Sequence, residues 1–286
     1  MRHVFRCPAA RTLFFLITLA LTVQALAQNR IPARPMTGKS RLLTRLDTVR
    51  IMSYNIYHGE GLDGRHDYGR VADLIRREQA DIVAVQEVDS VTRRSHGADV
   101  LQQIADSAGM TCSFARALAY EGGAYGIGLL SKTEPLRVQT YALPGREEPR
   151  ALLVAEFDNY VVACTHLSLT PDDQLASIYV VRAVAAQTQK PFFLAGDWNA
   201  EPGDSTIAEM QRHFTLADDL TALSYPADRP TQLLDYIGLW NRHNNRVSLQ
   251  DFHVVDERVA SDHRPVVATY EIKVLAGRRL GPQRLR

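Results

Sequence analysis

Six times along this chain an apolar run meets a residue that can hold a metal ion or move a proton. Asn55 ends the run that begins at Arg50, Glu87 follows Ile82-Val83-Ala84-Val85-Gln86, and His166 ends Val161-Val162-Ala163-Cys164-Thr165. Asp197 and Asn199 follow Phe192-Phe193-Leu194-Ala195-Gly196, Asp235 stands against Tyr236-Ile237, and Asp262-His263 immediately precedes Arg264-Pro265-Val266-Val267. Carboxylate and amide oxygens suit hard divalent cations. Histidine, with an ordinary pKa of ~6.5, gives or takes a proton near neutrality. Singly, each has a plain alternative: Asn55 as a turn cap, Glu87 or Asp262 as a solvated loop acid, a lone histidine as a structural one. Six such residues at strand ends point instead to convergence at one edge of a layered sheet structure.

The elements that must carry them can be read from periodicity. Arg50 to Ile56 alternates as a strand, Tyr68 to Gln79 places Val71, Leu74 and Ile75 on one helical face, and Asp81 to Val85 is a short buried strand. Ala98 to Ala108 repeats the helical spacing and stops at Gly109. Strand patterns follow over 111–117, 126–130, 137–142, 151–157 and 160–167, with Asp158-Asn159 as a hairpin turn. Thr170, Pro171, Asp172 and Asp173 open a helix that runs to Gln189. Beyond it come a buried strand at 192–195, a short helix at 204–213, and strands at 234–239, 247–255 and 266–272. Hairpins mixed with crossovers imply an α+β fold, a four-layered sandwich of two packed mixed β-sheets flanked by helices.

In this order the motifs resemble the endonuclease/exonuclease/phosphatase family. They are Ser53-Tyr54-Asn55-Ile56, Gln86-Glu87-Val88, Thr165-His166-Leu167, Gly196-Asp197-Trp198-Asn199-Ala200, Leu234-Asp235-Tyr236-Ile237 and Ser261-Asp262-His263-Arg264-Pro265-Val266. The resemblance implies a phosphoesterase using Mg²⁺, with Mn²⁺ as a substitute, and metal-assisted in-line attack of water. Asn55, Glu87 and Asp262 would hold the metal. Asp197 would be the base for water, Asn199 a contact to the phosphate or that water, and His263 a donor to the phosphoryl oxygen, oriented by Asp235. His166 would be a second phosphate contact or acid. Arg150 reads either as a phosphate contact or as a surface ion pair, and Arg93-Arg94 reads better as a solvated basic turn than as a phosphate contact. Two positions depart from family patterns: Ile127 stands where nucleases often carry Asn, and Tyr57 where abasic-site enzymes carry an acidic ligand. Both argue against a deoxyribonuclease-like substrate.

The 286 residues are 45% hydrophobic and 23% charged, an ordinary globular composition that excludes disorder and a disulfide scaffold. Arg2, Arg6 and Arg11 precede an apolar stretch from Leu13 to Leu26, which ends in Ala25-Leu26-Ala27. The pattern predicts a signal peptide over 1–27, whose apolar run is shorter than the ~20 residues of a membrane span. The exported chain, periplasmic or secreted, would be a linker at 28–48, a domain at 49–275 and a basic tail at 276–286. No transmembrane segment is expected after the leader is removed. Beyond residue 27 there are 30 basic and 32 acidic residues, and the tail holds Arg278, Arg279, Arg284 and Arg286. The acidic body does not suit bulk capture of nucleic acid. The expected partner is a phosphate-ester substrate, with nuclease and lipid or inositol-phosphate hydrolase both left open. A catalytically silent phosphate-binding protein on the same fold is the alternative from another class, and the presence of Glu87, Asp197 and His263 counts against it. Cys112 and Cys164 lie in apolar runs and read better as free thiols than as a disulfide.

Overall fold

The computed structural model describes residues 44–218 and 220–275. The leader at 1–27 and the basic tail at 276–286 lie outside the described residues.

Two six-stranded mixed sheets form the middle of the domain. In the first, β1 (Thr44–Asn55) and β2 (Ile82–Ser90) are a parallel pair joined through helix α1 (Tyr68–Arg77). After helix α2 (Val100–Ala108), which packs on its face, β3 (Thr111–Tyr120) and β4 (Gly123–Ser131) extend this sheet on one side, and β11 (Val247–Val254) and β12 (Val266–Leu275) on the other, giving the order β11-β12-β1-β2-β4-β3. The second sheet repeats the plan. Its parallel pair β7 (Val161–His166) and β8 (Phe192–Asp197) is joined through α3 (Pro171–Ala185). The pair is flanked by β5 (Arg137–Leu143) and β6 (Arg150–Glu156), and by β10 (Asp235–Trp240) and β9 (Phe214–Leu216), with the short helix α4 (Ser205–Gln211) following β8.

Each central strand is buried on both faces, and alternate residues enter different cores. Val49 and Ile51 of β1 join Ile82, Ala84, Val162, Cys164, Phe193, Ala195 and Ile237 between the sheets. Met52, Tyr54 and Ile56 pack instead with Val71, Leu74, Leu101 and Ile104 under α1 and α2. A third core, including Ile178, Val181, Leu194, Trp198 and Met210, lies beneath α3 and α4. The four-layered α+β sandwich is thus the observed architecture.

Strand β1 begins at Thr44, so residues 44–48 are not linker but strand, paired in register with β12 from Thr44↔Leu275 onward. These residues carry no apolar alternation (Leu46 is largely exposed), and it is the backbone of β12 that holds them. Helix α3 stops at Ala185 rather than Gln189, and β9 is too short to show a period. Cys164 lies in the inter-sheet core, whereas Cys112 packs on the helix side of the first sheet; both are free thiols.

Candidate active site

The same alternation that builds the inter-sheet core delivers the polar side chains. On β1 the inward-facing series continues from Val49 and Ile51 through Ser53 to Asn55; on β8 it runs from Phe193 and Ala195 to Asp197. On β7, His166 follows Val162 and Cys164, and on β10 Asp235 precedes Ile237 and Leu239. These residues occupy the ends of strands whose middles are packed with apolar side chains. The parallel pairs end at this edge, and the antiparallel strands β10 and β12 begin at it, as the pairings His166↔Asp197, Asp235↔Asp197 and Ser53↔Val266 record.

Glu87 has the wrong parity for this face, since Val83 and Val85 belong to the helix side. A register shift between Val85 and Val88 and a φ of 57° at Glu87 re-aim it. Its Oε1 then accepts a hydrogen bond from Asn55 Nδ2 at 3.0 Å. Asn55 Nδ2 also donates to Asp197 Oδ2 at 3.1 Å. His166 Nε2 and His263 Nε2 each lie 3.6 Å from that same oxygen. The far nitrogen of His263, Nδ1, is 2.8 Å from Asp235 Oδ2, which also accepts from Ser224 Oγ at 2.6 Å. Asp262 is tied into the cluster through Ser261, whose hydroxyl donates to Asn55 O at 2.7 Å. Asn199, at φ 48°, donates its backbone N–H to Asp197 Oδ1 at 2.9 Å and its side-chain amide to Leu167 O at 3.0 Å.

Burial dominates the electrostatics. It pushes Glu87 up to about 7, with Asp262 and Asp197 adding to the shift. Asp197 is pushed up to about 6 by burial, against the pull of His263, and Asp262 is raised for the same first reason. Burial opposes charge on His263, but Asp235 and Asp197 outweigh it and raise the imidazole to about 10. His166 goes the other way: burial, with Arg150 and His263 nearby, holds it well below the ordinary histidine value. Two adjacent imidazoles are thereby separated into a charged one and a neutral one.

The donor chemistry fits a hard cation. Glu87 and Asp262 are carboxylates in a half-buried place, both raised by burial, with Asp262 adding to the shift of Glu87, and a divalent ion would relieve that. Asp235 and His263 are committed to each other, so Glu87 and Asp262 are the groups that could hold it, joined by the Asn55 amide oxygen once that amide turns over from the orientation seen here, in which Nδ2 faces Glu87 and Oδ1 accepts from the Tyr57 N–H.

Comparison with known proteins bears on the whole of this arrangement. The profile of the Endonuclease/Exonuclease/phosphatase family matches residues 52–263, from the strand carrying Asn55 to His263 itself. The chain belongs to that family. Its members are hydrolases of phosphate ester bonds, and this chain is a hydrolase of that type. Among solved structures, the fold is similar to an endonuclease/exonuclease/phosphatase from Bacteroides vulgatus, at 18% identity over 79% of this chain and 99% of that one, with a TM-score of 0.65. It is similar to the mannosyl-6-phosphatase of Bacteroides thetaiotaomicron, at 14% identity over 77% and 98% with a TM-score of 0.63. The human Nocturnin catalytic domain, solved with a sulfate anion, matches at 16% identity over 82% and 98% with a TM-score of 0.61. No curated protein sequence gave a significant match.

Within this endonuclease/exonuclease/phosphatase domain, the residues singled out in the sequence do not all stand alike. Arg150 is buried and ion-paired, its guanidinium 2.7 Å from Glu148 and 3.5 Å from Glu147, so it is not a surface pair; it lines a small cavity with Tyr125, Ile127 and His166. Arg94 is no solvated turn either. It makes a two-point ion pair with buried Asp89, at 2.7 and 2.9 Å, and lies over the rings of Tyr120 and Tyr125. Asp89 supplies the buried charge that draws Arg94 inward. Ile127 belongs to the inter-sheet core, and Tyr57 contributes its backbone N–H to Asn55 Oδ1 at 3.1 Å. Two supporting residues had no signal in the sequence: Ser224 behind Asp235, and Tyr225, whose ring centroid is 4.7 Å from that of His263. Both sit in an irregular segment between β9 and β10 where no period marks them.

Proposed function

We propose that this chain is an exported, Mg²⁺-dependent phosphoesterase that hydrolyses phosphomonoester or phosphodiester bonds by in-line attack of water. One observation carries the reading: Asp197 Oδ2 lies 3.6 Å from Nε2 of both His166 and His263, with Asp235 on the far nitrogen of His263, and burial raises the Asp197 carboxyl to about 6. A carboxylate in that range accepts a proton from water near neutral pH without being locked in either state. His263, kept protonated by Asp235, donates to a phosphoryl oxygen as negative charge gathers there. His166 provides a neutral N–H to the phosphate from the other side, with Arg150 behind it. Asn199 holds Asp197 in orientation through its backbone N–H. Mg²⁺, held by Glu87, Asp262 and Asn55, would supply charge neutralisation at the phosphate.

Export rests on residues 1–27, and the reading away from a deoxyribonuclease-like substrate on the acidic body and on Ile127 and Tyr57. The test is hydrolysis of bis-p-nitrophenyl phosphate and p-nitrophenyl phosphate with Mg²⁺. EDTA should abolish turnover, and added Mg²⁺ or Mn²⁺ should restore it; a rate indifferent to chelation overturns the metal role. Plasmid DNA, RNA, sphingomyelin, phosphoinositides and sugar phosphates then rank the substrate classes. Intact mass of exported protein should lack residues 1–27.

A further inference from the structure

Three residues beyond Asn55 the chain makes a tight turn whose side chains the hydrolytic site does not use. Tyr57 and His58 both adopt positive φ, 44° and 45°, which non-glycine residues rarely hold without a compensating gain. Gly59, at φ 85°, is pressed against Tyr68, where a Cβ would strike the ring. Glu60 then pairs with His66 in an antiparallel bridge, closed by Gly61 N–H donating to Arg65 O at 2.9 Å. Bridge partners project to the same side of a ribbon, and the strained turn brings His58 to that side. A ring nitrogen of His58, a ring nitrogen of His66 and a carboxylate oxygen of Glu60 all lie within 4.8 Å of one another. His58 Nε2 and Glu60 Oε2 are 3.2 Å apart, close to the ~3.3–3.5 Å edge of a tetrahedron of ligands ~2.0–2.2 Å from zinc. His58 is only 6% exposed, and its Nδ1 is buried with no hydrogen-bond partner.

We propose that His58, Glu60 and His66 form a Zn²⁺ site that clasps the 58–66 loop. Two imidazoles and one carboxylate are a donor set for a late first-row ion rather than for Mg²⁺, and three protein ligands leave a fourth position for water. The site shares no residue with the hydrolytic cluster and does not depend on the reaction assigned to it.

The test uses untagged protein stripped of metal and then kept in excess Mg²⁺. Calorimetric titration with Zn²⁺ should show about one equivalent, Co²⁺ should give a visible tetrahedral or five-coordinate spectrum, and Zn²⁺ should raise the Tm. His66→Gln, at an exposed position that folding tolerates, and Glu60→Gln should each weaken binding by at least ~10-fold and erase the Co²⁺ band. Glu87→Gln should leave both intact. Absence of binding, binding unchanged in His66→Gln and Glu60→Gln, or loss of the equivalent in Glu87→Gln each overturns the proposal; the last would assign the ion to the hydrolytic cleft.

Discussion

Asn55 and Asp197, 142 positions apart in the chain, meet across the gap between the two sheets, Asn55 Nδ2 donating to Asp197 Oδ2 at 3.1 Å. The same amide donates to Glu87 Oε1. One neutral side chain therefore bridges the carboxylate read as the base and the one read as a metal ligand. It lies where β1 of one sheet and β8 of the other both end. Stability and chemistry are coupled at this residue.

Replacing Asn55 by Ala should cost both. A buried carboxylate, Asp197, and a half-buried one, Glu87, lose a donor, which corresponds to ~1–3 kcal/mol of stability. Urea unfolding in EDTA should register that loss, with hydrolysis falling in the same variant. Asn55→Asp should be less stable still without metal, because it adds a third negative charge, and should recover most when Mg²⁺ is added.

Asp197→Asn keeps the shape and removes the base. kcat should fall by at least ~10²-fold with KM little changed. In the wild type, activity should rise with pH as Asp197 ionises. Its acidic limb should lie at or below about 6, since a bound cation beside it lowers that value further. An acidic limb that persists unaltered in residual Asp197→Asn activity would assign it to another group.

Glu87 ties stability to pH with a definite sign. Its carboxyl rises from 4.5 to about 7 on folding, so between those values the folded state binds more protons than the unfolded one. Metal-free protein should therefore lose stability, on the order of 1–3 kcal/mol, as pH climbs through that window. Glu87→Gln should flatten this slope, be the more stable protein at pH 8 in EDTA, and gain less from Mg²⁺. Thermal melts at several pH values, with and without metal, separate these effects. For catalysis, Glu87→Gln should show a raised Mg²⁺ requirement, partly met by excess metal or Mn²⁺.

His263 and Asp235 should divide orientation from donation. His263→Ala should lose kcat on the scale of Asp197→Asn. Asp235→Asn should lose less, because the imidazole remains. An imidazolium donor is lost as pH rises through its pKa, so the alkaline limb of activity should move to lower pH in Asp235→Asn, where the main support for the value near 10 is gone. A limb that stays in place would detach the pH dependence from this pair.

Much of this arrangement is legible in the linear chain because the central strands are buried on both faces. Runs such as Ile82 to Gln86 and Phe192 to Gly196 are then nearly continuous in apolar or small residues, and a polar residue at their end stands out. That alone marks Asn55, Glu87, His166, Asp197, Asp235 and His263 as a set, and it carries the sandwich architecture with them. Folding in three dimensions decides what has no periodic signature. Glu87 reaches the cleft only through a bulge, which moves it off the face its parity assigns. Residues 44–48 are strand because β12 pairs with them, not because of their own pattern. Arg94 and Arg150 lie inward because Asp89 and the Glu147-Glu148 pair neutralise them there, and those pairings have no signature in the spacing of the chain. The opposite charge states of His166 and His263 come from partners at distances no spacing encodes: Arg150 and burial on one side, Asp235 on the other. Periodicity reports which face a residue occupies, whereas charge state and reach depend on groups brought together from distant parts of the chain.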